Sequence, residues 1–276
     1  MPTFPHDGIA FHYREIGHGI PFLFQHGLGG DVTQPFGLLD PPPAGFRMIG
    51  MDFRGHGETR PTGDEAKLGI AAFAADLAAL LDHLGLDRAV VGGISQGAAV
   101  ALNFALRFPD RVLALILSRP AWLDAPFPEN VRIFPAIARL IRDHGARRGL
   151  ELFEASPEYK AFLDESPDNA LGLAGQFTNP RAEEAVARLE RIPRDSPCRH
   201  RDEWPAIRAP TLVLANRRDP VHPFGYGEVL AAAIPGATFA ELTPKSVSVD
   251  AHAADVRRAI ETFLNAQFPT GAPSPC

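Results

Sequence analysis

Apolar residues along the chain follow two rhythms. Short runs with little alternation recur at residues 21–25 (PFLFQ), 47–53 (RMIGMDF), 88–92, 112–117 (VLALIL), 211–214 (TLVL) and 238–242. Unbroken runs of this length mark strands buried on both faces. Between them the period lengthens. Ile70, Phe73, Ala74, Leu77, Leu80, Leu81 and Leu84 repeat at helical spacing, and Gly85 closes that helix. The same spacing over 250–266 places Val256, Ile260, Phe263 and Leu264 on one face, and a further helix is expected around 226–233. Residues 9–16 alternate weakly and predict an edge hairpin strand. Strands alternating with helices predict an α/β fold with a mainly parallel, doubly wound sheet. In such sheets ligands bind beyond the carboxyl ends of the strands. His26, His56, Ser95, Arg119 and Asp219 each follow a predicted strand, so they are expected to gather at one edge although they lie far apart in sequence.

The rhythm breaks between residues 120 and 205. That stretch is rich in proline and charge, with amphipathic helical pieces at 133–141 and 183–192 and no convincing strand. It predicts a helical cap inserted into a core made of residues 1–119 and 206–268, followed by a short proline-rich tail, 269–276, expected to be disordered. The 276 residues suffice for one large domain with its own core.

Composition adds mainly exclusions. A 45% hydrophobic, 22% charged chain of formal charge −6 has ordinary globular make-up and no clustered basic face, so no nucleic-acid partner is expected. No run of eighteen apolar residues predicts a membrane span, and the first residues carry no secretory signal. Cys198 and Cys276 lie too far apart to suggest a structural disulfide, which favours a reducing, cytoplasmic setting. No Cys/His/Asp cluster has metal-ligand spacing, and neither a dinucleotide fingerprint nor a phosphate loop is present, so neither metal nor cofactor is expected.

The candidate chemistry centres on residues 90–100, VVGGISQGAAV. A strand meets Gly93-Ile94-Ser95-Gln96-Gly97, and a small-residue helix follows. This is the G-x-S-x-G elbow, in which flanking glycines let a strained serine stand exposed at the tip of a sharp turn. Taken with His26-Gly27, with Asp52-Phe53-Arg54-Gly55-His56-Gly57 and with Asp219 followed by Pro223, the sequence resembles the α/β-hydrolase superfamily over nearly its whole length apart from the cap.

That resemblance implies an α/β-hydrolase fold and a role for each matching residue. Ser95 would be the nucleophile, the N–H groups of Leu28 and Gln96 the oxyanion hole, and Asp219 the group that orients a base histidine. At the histidine the chain departs from the family. Where members carry Gly-His, between the last strand and the last helix, this sequence has Lys245-Ser246. Downstream only His252 remains, and it is taken as the base; His222, three residues after Asp219, is the second candidate, and the absence of any conventional base is the third. His26 and His56 read as braces of their loops. Arg119 could clamp a substrate carboxylate in bidentate fashion or form a salt bridge to the cap.

The leading expectation is a cofactor-independent serine hydrolase that cleaves an ester or lactone of a small metabolite through an acyl-serine, with a carboxylate-bearing substrate expected if Arg119 acts as the clamp. The alternatives are lyase or C–C bond-cleaving chemistry on the same fold, and a small-molecule receptor with a residual triad.

Overall fold

The computed structural model describes residues 2–269. The tail expected to be disordered therefore lies outside the described residues from position 270 onward, as does Cys276. Eight strands form one sheet: β1 (Thr3–His6), β2 (Ile9–Gly17), β3 (Ile20–Gln25), β4 (Phe46–Met51), β5 (Ala89–Ile94), β6 (Val112–Ser118), β7 (Thr211–Asn216) and β8 (Thr238–Leu242). Their order is β1-β2-β4-β3-β5-β6-β7-β8. The pairs β1–β2 and β2–β4 are antiparallel, and the rest of the sheet is parallel.

The apolar runs have the physical cause the sequence suggested. Successive side chains of one strand enter opposite cores. Val91 of β5, Leu115 and Leu117 of β6, and Val213 of β7 join one hydrophobic cluster. Val90, Ile94, Ala114, Ile116, Leu212 and Leu214 join the other. The first core is covered by α2 (Ile70–His83), α3 (Gln96–Arg107) and α8 (Phe224–Ala233), the second by α1 (Thr33–Leu38) and α9 (Val249–Gln267). A strand with helices on both faces has no solvent face and so no polar alternation.

One local expectation needs correction, and one helix has no counterpart in the sequence pattern. Residues 9–17 are not an edge strand: β2 pairs with β4 on one side, and the short β1 takes the edge. Helix α1 had no sequence signal, for it spans six residues that include Pro35 and Gly37 and has no side-chain cap.

Between β6 and β7 the described residues form helices and turns without a strand: α4 (Ile133–Glu154), α5 (Pro157–Glu165), α6 (Pro167–Thr178) and α7 (Ala187–Arg191). Gly145, at φ 75° and ψ 163°, breaks the helical path inside α4. Ser156, whose side chain accepts from the Tyr159 N–H, and Pro157 at the first position start α5. This helical segment is tied to the loops at the carboxyl ends of the strands. Asn179 Nδ2 donates to the Gly29 carbonyl at 3.0 Å, and Arg181 Nη1 donates to the carbonyls of His56 and Thr59 at 3.1 and 2.8 Å. No described helix is long and apolar enough to cross a membrane.

Candidate active site

Ser95 stands between β5 and α3 with φ 57° and ψ −111°, a left-handed backbone that costs free energy for a residue with a Cβ. Its neighbours hold it there. A Cβ on Gly93 would lie 2.5 Å from the Gly97 carbonyl carbon, and one on Gly97 would lie 2.5 Å from the Gln25 carbonyl oxygen. Only glycines allow strand, turn and helix to approach so closely. The Ser95 N–H donates to the Ser118 carbonyl at 2.9 Å, which ties the elbow to the end of β6. Ser95 is half-buried on the wall of a cavity of about 150 Å³, and its Oγ has no hydrogen-bond partner among the described residues.

Leu28 lines this cavity, and Gln96 follows Ser95 as the first residue of α3. Among the described residues neither N–H donates to a protein acceptor. The loop carrying Leu28 is braced from three sides. Gln34 Oε1 accepts from the Gly27 N–H at 2.7 Å, Gln176 Nε2 of α6 donates to the Leu28 carbonyl at 3.3 Å, and the fully buried His26 holds the turn from within. His26 Nδ1 lies 2.8 Å from the Gly27 carbonyl, and Nε2 accepts from the Phe53 N–H at 3.2 Å, so the proton sits on Nδ1. Burial pushes its pKa down and keeps the ring neutral.

Asp219, after β7, is buried and is held by His222 and Arg119, with Asn216 Nδ2 at 3.5 Å from Oδ2. His222 Nδ1 lies 2.8 Å from Oδ1, and the His222 backbone N–H also donates to Oδ1 at 3.1 Å. Arg119 Nε donates to Oδ2 at 2.8 Å, and Nη2 reaches the same oxygen. Burial alone would raise the carboxyl pKa, but the charges of Arg119 and His222 outweigh it and hold Asp219 well below the usual carboxylate range. For His222, burial dominates and Arg119 reinforces it against the attraction of Asp219, so its pKa lies below the ordinary value. The imidazole is thus neutral near pH 7 with Nδ1–H turned to the carboxylate, which leaves Nε2 as the nitrogen able to accept a proton. His222 and Ser95 line the same cavity.

This arrangement differs from the expected pairing of Asp219 with His252. His252 sits in the first turn of α9, and its Nδ1 lies 2.8 Å from the Thr243 carbonyl instead. It lines a neighbouring cavity, which does not include Ser95. Burial first, and then the charge of Arg119, outweigh the Thr243 carbonyl and the more distant Asp219, and its pKa falls to about 4. Both Asp219 oxygens are already engaged, so the tertiary structure brings Asp219 and His222 together and leaves His252 apart. The expected Arg119 clamp is likewise occupied, since its guanidinium serves Asp219 and comes within 4.0 Å of Asp168 in α6. Arg119 is fixed at φ 51°, with its N–H donating to the Leu214 carbonyl at 2.7 Å.

Several lining residues were not singled out from the sequence. Asp168, Asn169, Leu173 and Gln176 come from α6, and Phe134 from α4. The only early signal for α6 is Ser166-Pro167, a helix start that predicts an element and not which face of it meets Ser95. Lys245, in the place where the resemblance expects a histidine, also lines the Ser95 cavity; burial and then the charge of Arg119 lower its pKa to about 8.

Comparison with known proteins places this geometry in context. A family model described as alpha/beta hydrolase fold matches residues 20–262. The 2-hydroxy-6-oxo-2,4-heptadienoate hydrolase of Pseudomonas putida is 29% identical over 228 residues, 78% of each chain. The 3-oxoadipate enol-lactonase 2 of Acinetobacter baylyi is 27% identical over 243 residues, 87% of each chain. Among solved structures, a thermophilic esterase from Thermogutta terrifontis, described with malate bound, superimposes with a TM-score of 0.73 at 28% identity, covering 96% of this chain and 97% of that one.

Proposed function

The chain belongs to the α/β-hydrolase family, and from that premise we propose that it hydrolyses a carboxylic ester or lactone of a small metabolite through an acyl-Ser95 intermediate, with His222 as the base. One observation carries the assignment of the base: the His222 imidazole is hydrogen-bonded through Nδ1 to the Asp219 carboxylate and lines the same cavity as Ser95. A serine hydroxyl is a weak nucleophile until a base removes its proton, and a base needs a third group to fix its tautomer.

The reaction then runs in two halves. Ser95 Oγ attacks the substrate carbonyl carbon while its proton passes to His222 Nε2. The carbonyl oxygen becomes an oxyanion held by the Leu28 and Gln96 amides, which have no competing protein acceptor. Each such donor is worth roughly 3 kcal/mol in the transition state. Collapse expels the alcohol, which takes its proton from His222, and leaves acyl-Ser95. Water, deprotonated by His222, attacks the acyl carbon; the acyl–Oγ bond then breaks, Ser95 takes the proton back from His222, and the acid is released. Asp219 stays ionised and stabilises the transient imidazolium. Arg119 makes that carboxylate less basic, so His222 is a weaker base than a histidine facing an unshared aspartate. The Oγ is unpartnered in the free protein, and catalytic hydrogen bonds of this kind commonly tighten only with substrate bound.

A fluorophosphonate probe tests the reading. Labelling of the wild type, loss of labelling in Ser95→Ala, and an initial burst with para-nitrophenyl esters are the expected results. No labelling and no burst at any pH between 6 and 9 would overturn it. The departure at Lys245 favours one second reading, C–C bond cleavage or lyase chemistry, which turnover surviving Ser95→Ala would support. Tight binding of a small molecule without any turnover would instead indicate a receptor.

A further inference from the structure

A second cavity, of about 260 Å³, lies beside the one that holds Ser95. The two share Gln34, Ile94, Arg119 and Lys245 as a common wall. The second is closed on its far side by the first turns of α9, through Val249, His252 and Ala253, and by Leu38 of the α1 end. Its lining contains two cations, Arg119 and Lys245, one titratable histidine, and no Asp or Glu.

The acids nearby are committed elsewhere. Asp219 is bonded to Arg119 and His222, and Asp168 lines only the Ser95 cavity. Asp255 of α9 accepts from the Thr243 N–H and hydroxyl and pairs with Arg258. Arg119 is thus neutralised by Asp219, whereas Asp168 and Asp219 act on Lys245 only through longer-range attraction, without an ion pair. Among the described residues Lys245 Nζ has neither a hydrogen-bond nor an ion-pair partner, although the side chain is half-buried. A half-buried ammonium without a partner is costly, and an anion beside it removes much of that cost. Burial first and Arg119 next lower the pKa values of Lys245 and His252, and the attraction of Asp168 and Asp219 for Lys245, and of Asp219 for His252, only partly opposes them. The rest of the wall is mainly aliphatic, from Leu38, Ile94, Val249 and Ala253, with Gly37 and the polar Gln34 and Ser118 beside them.

We propose that this second cavity is an anionic subsite in which Lys245 holds a carboxylate of the substrate while the scissile carbonyl lies over Ser95. The substrates are then esters or lactones that carry a carboxylate on a short aliphatic chain. Lys245 is a binding residue here and takes no part in the bond changes. The assignment rests on the acyl-Ser95 reading for the position of the scissile bond, and rests on the second cavity alone for the anion.

Matched esters test it. The para-nitrophenyl hemiester of glutarate and the para-nitrophenyl ester of valerate differ by a carboxylate in place of a methyl group. The wild type is expected to favour the hemiester in kcat/KM by about 10-fold or more, mostly through KM. Lys245→Met is expected to abolish that preference and Lys245→Arg to restore part of it. Titration of Ser95→Ala with glutarate, followed calorimetrically, is expected to show binding that Lys245→Met removes. A wild-type preference near unity, together with no glutarate binding at millimolar concentration, would overturn the subsite and leave the acyl-serine reading standing. If neither ester is turned over, the acyl-serine reading fails, and the glutarate titration alone decides the subsite.

Discussion

Two loops at the carboxyl edge of the sheet carry similar residues and differ in what surrounds them. The loop after β7 holds Asp219 and His222 three residues apart, close enough for one turn to join them by two hydrogen bonds. The loop after β8 holds Lys245, and His252 follows in the first turn of α9 with a carbonyl as its partner instead of a carboxylate. Both histidines are buried, and for both burial lowers the pKa. Of the two, only His222 has a carboxylate within hydrogen-bond distance, the group that would stabilise an imidazolium in the proposed mechanism. A histidine facing a carbonyl is fixed in orientation but gains little when charged. Under the proposed mechanism, the partner of the other ring nitrogen decides which histidine can serve as the base.

The sharpest way to break this comparison is to remove each ring in turn. His222→Ala should lower kcat for a para-nitrophenyl ester by about 10²- to 10⁴-fold, the usual worth of general acid–base catalysis, whereas His252→Ala should change it by less than about 10-fold. The reverse order in steady-state kinetics would transfer the role to His252. Asp219→Asn should be nearly as damaging, and it should also destabilise the fold. It leaves the Arg119 guanidinium buried beside a neutral amide, a loss of about 3–5 kcal/mol that urea unfolding would register. Unfolding stability unchanged by this substitution would mean that Arg119 finds another anion, with Asp168 the nearest.

A smaller effect concerns pH. The pKa of His222 lies below 6.5 in the folded enzyme, so the acid limb of kcat/KM should fall below pH 6.5. Arg119 contributes to that depression, and Arg119→Met should move the limb upward. A limb that stays in place would separate the base from the Arg119–Asp219 pair.

His252 has a stability signature as well. Its folded pKa of about 4 lies below the unfolded 6.5, so the folded state binds fewer protons between these values. The stabilisation is fully present above pH 6.5 and is lost as pH falls toward 4. Replacing His252 by Gln should flatten that part of the stability curve by on the order of 1–3 kcal/mol, read from urea midpoints at pH 6.5 and 4.5.

How much of this was legible beforehand follows from the range of each interaction. The buried strands, α2, α3 and α9 could be read because burial on a sheet or along a helix face leaves a pattern within ten or twenty residues. The short β1 and the six-residue α1 left none. The segment between β6 and β7 could be recognised as helical, yet α5 and α6 went unseen, since their serine–proline starts resemble ordinary loop punctuation. At the site, Ser95 and Asp219 are evident as candidates, and Arg119 reads as a substrate clamp or a salt bridge to the cap; its contact with Asp168 agrees with the second, but its bonds to Asp219 have no sequence signal. Its hydrogen bonds go to Asp219, 100 positions away, and no local pattern records such a pairing.

The amino-acid order alone determined the alternating α/β architecture and the glycine-flanked turn that holds Ser95 in a left-handed backbone, because both depend on steric and burial preferences of neighbouring residues. Which histidine faces a carboxylate, where the arginine spends its donors and which cation is left without a partner were decided only when β6, β7, β8 and α9 came together. Those choices are electrostatic and depend on the distances between separately encoded elements, which exist only in the packed molecule.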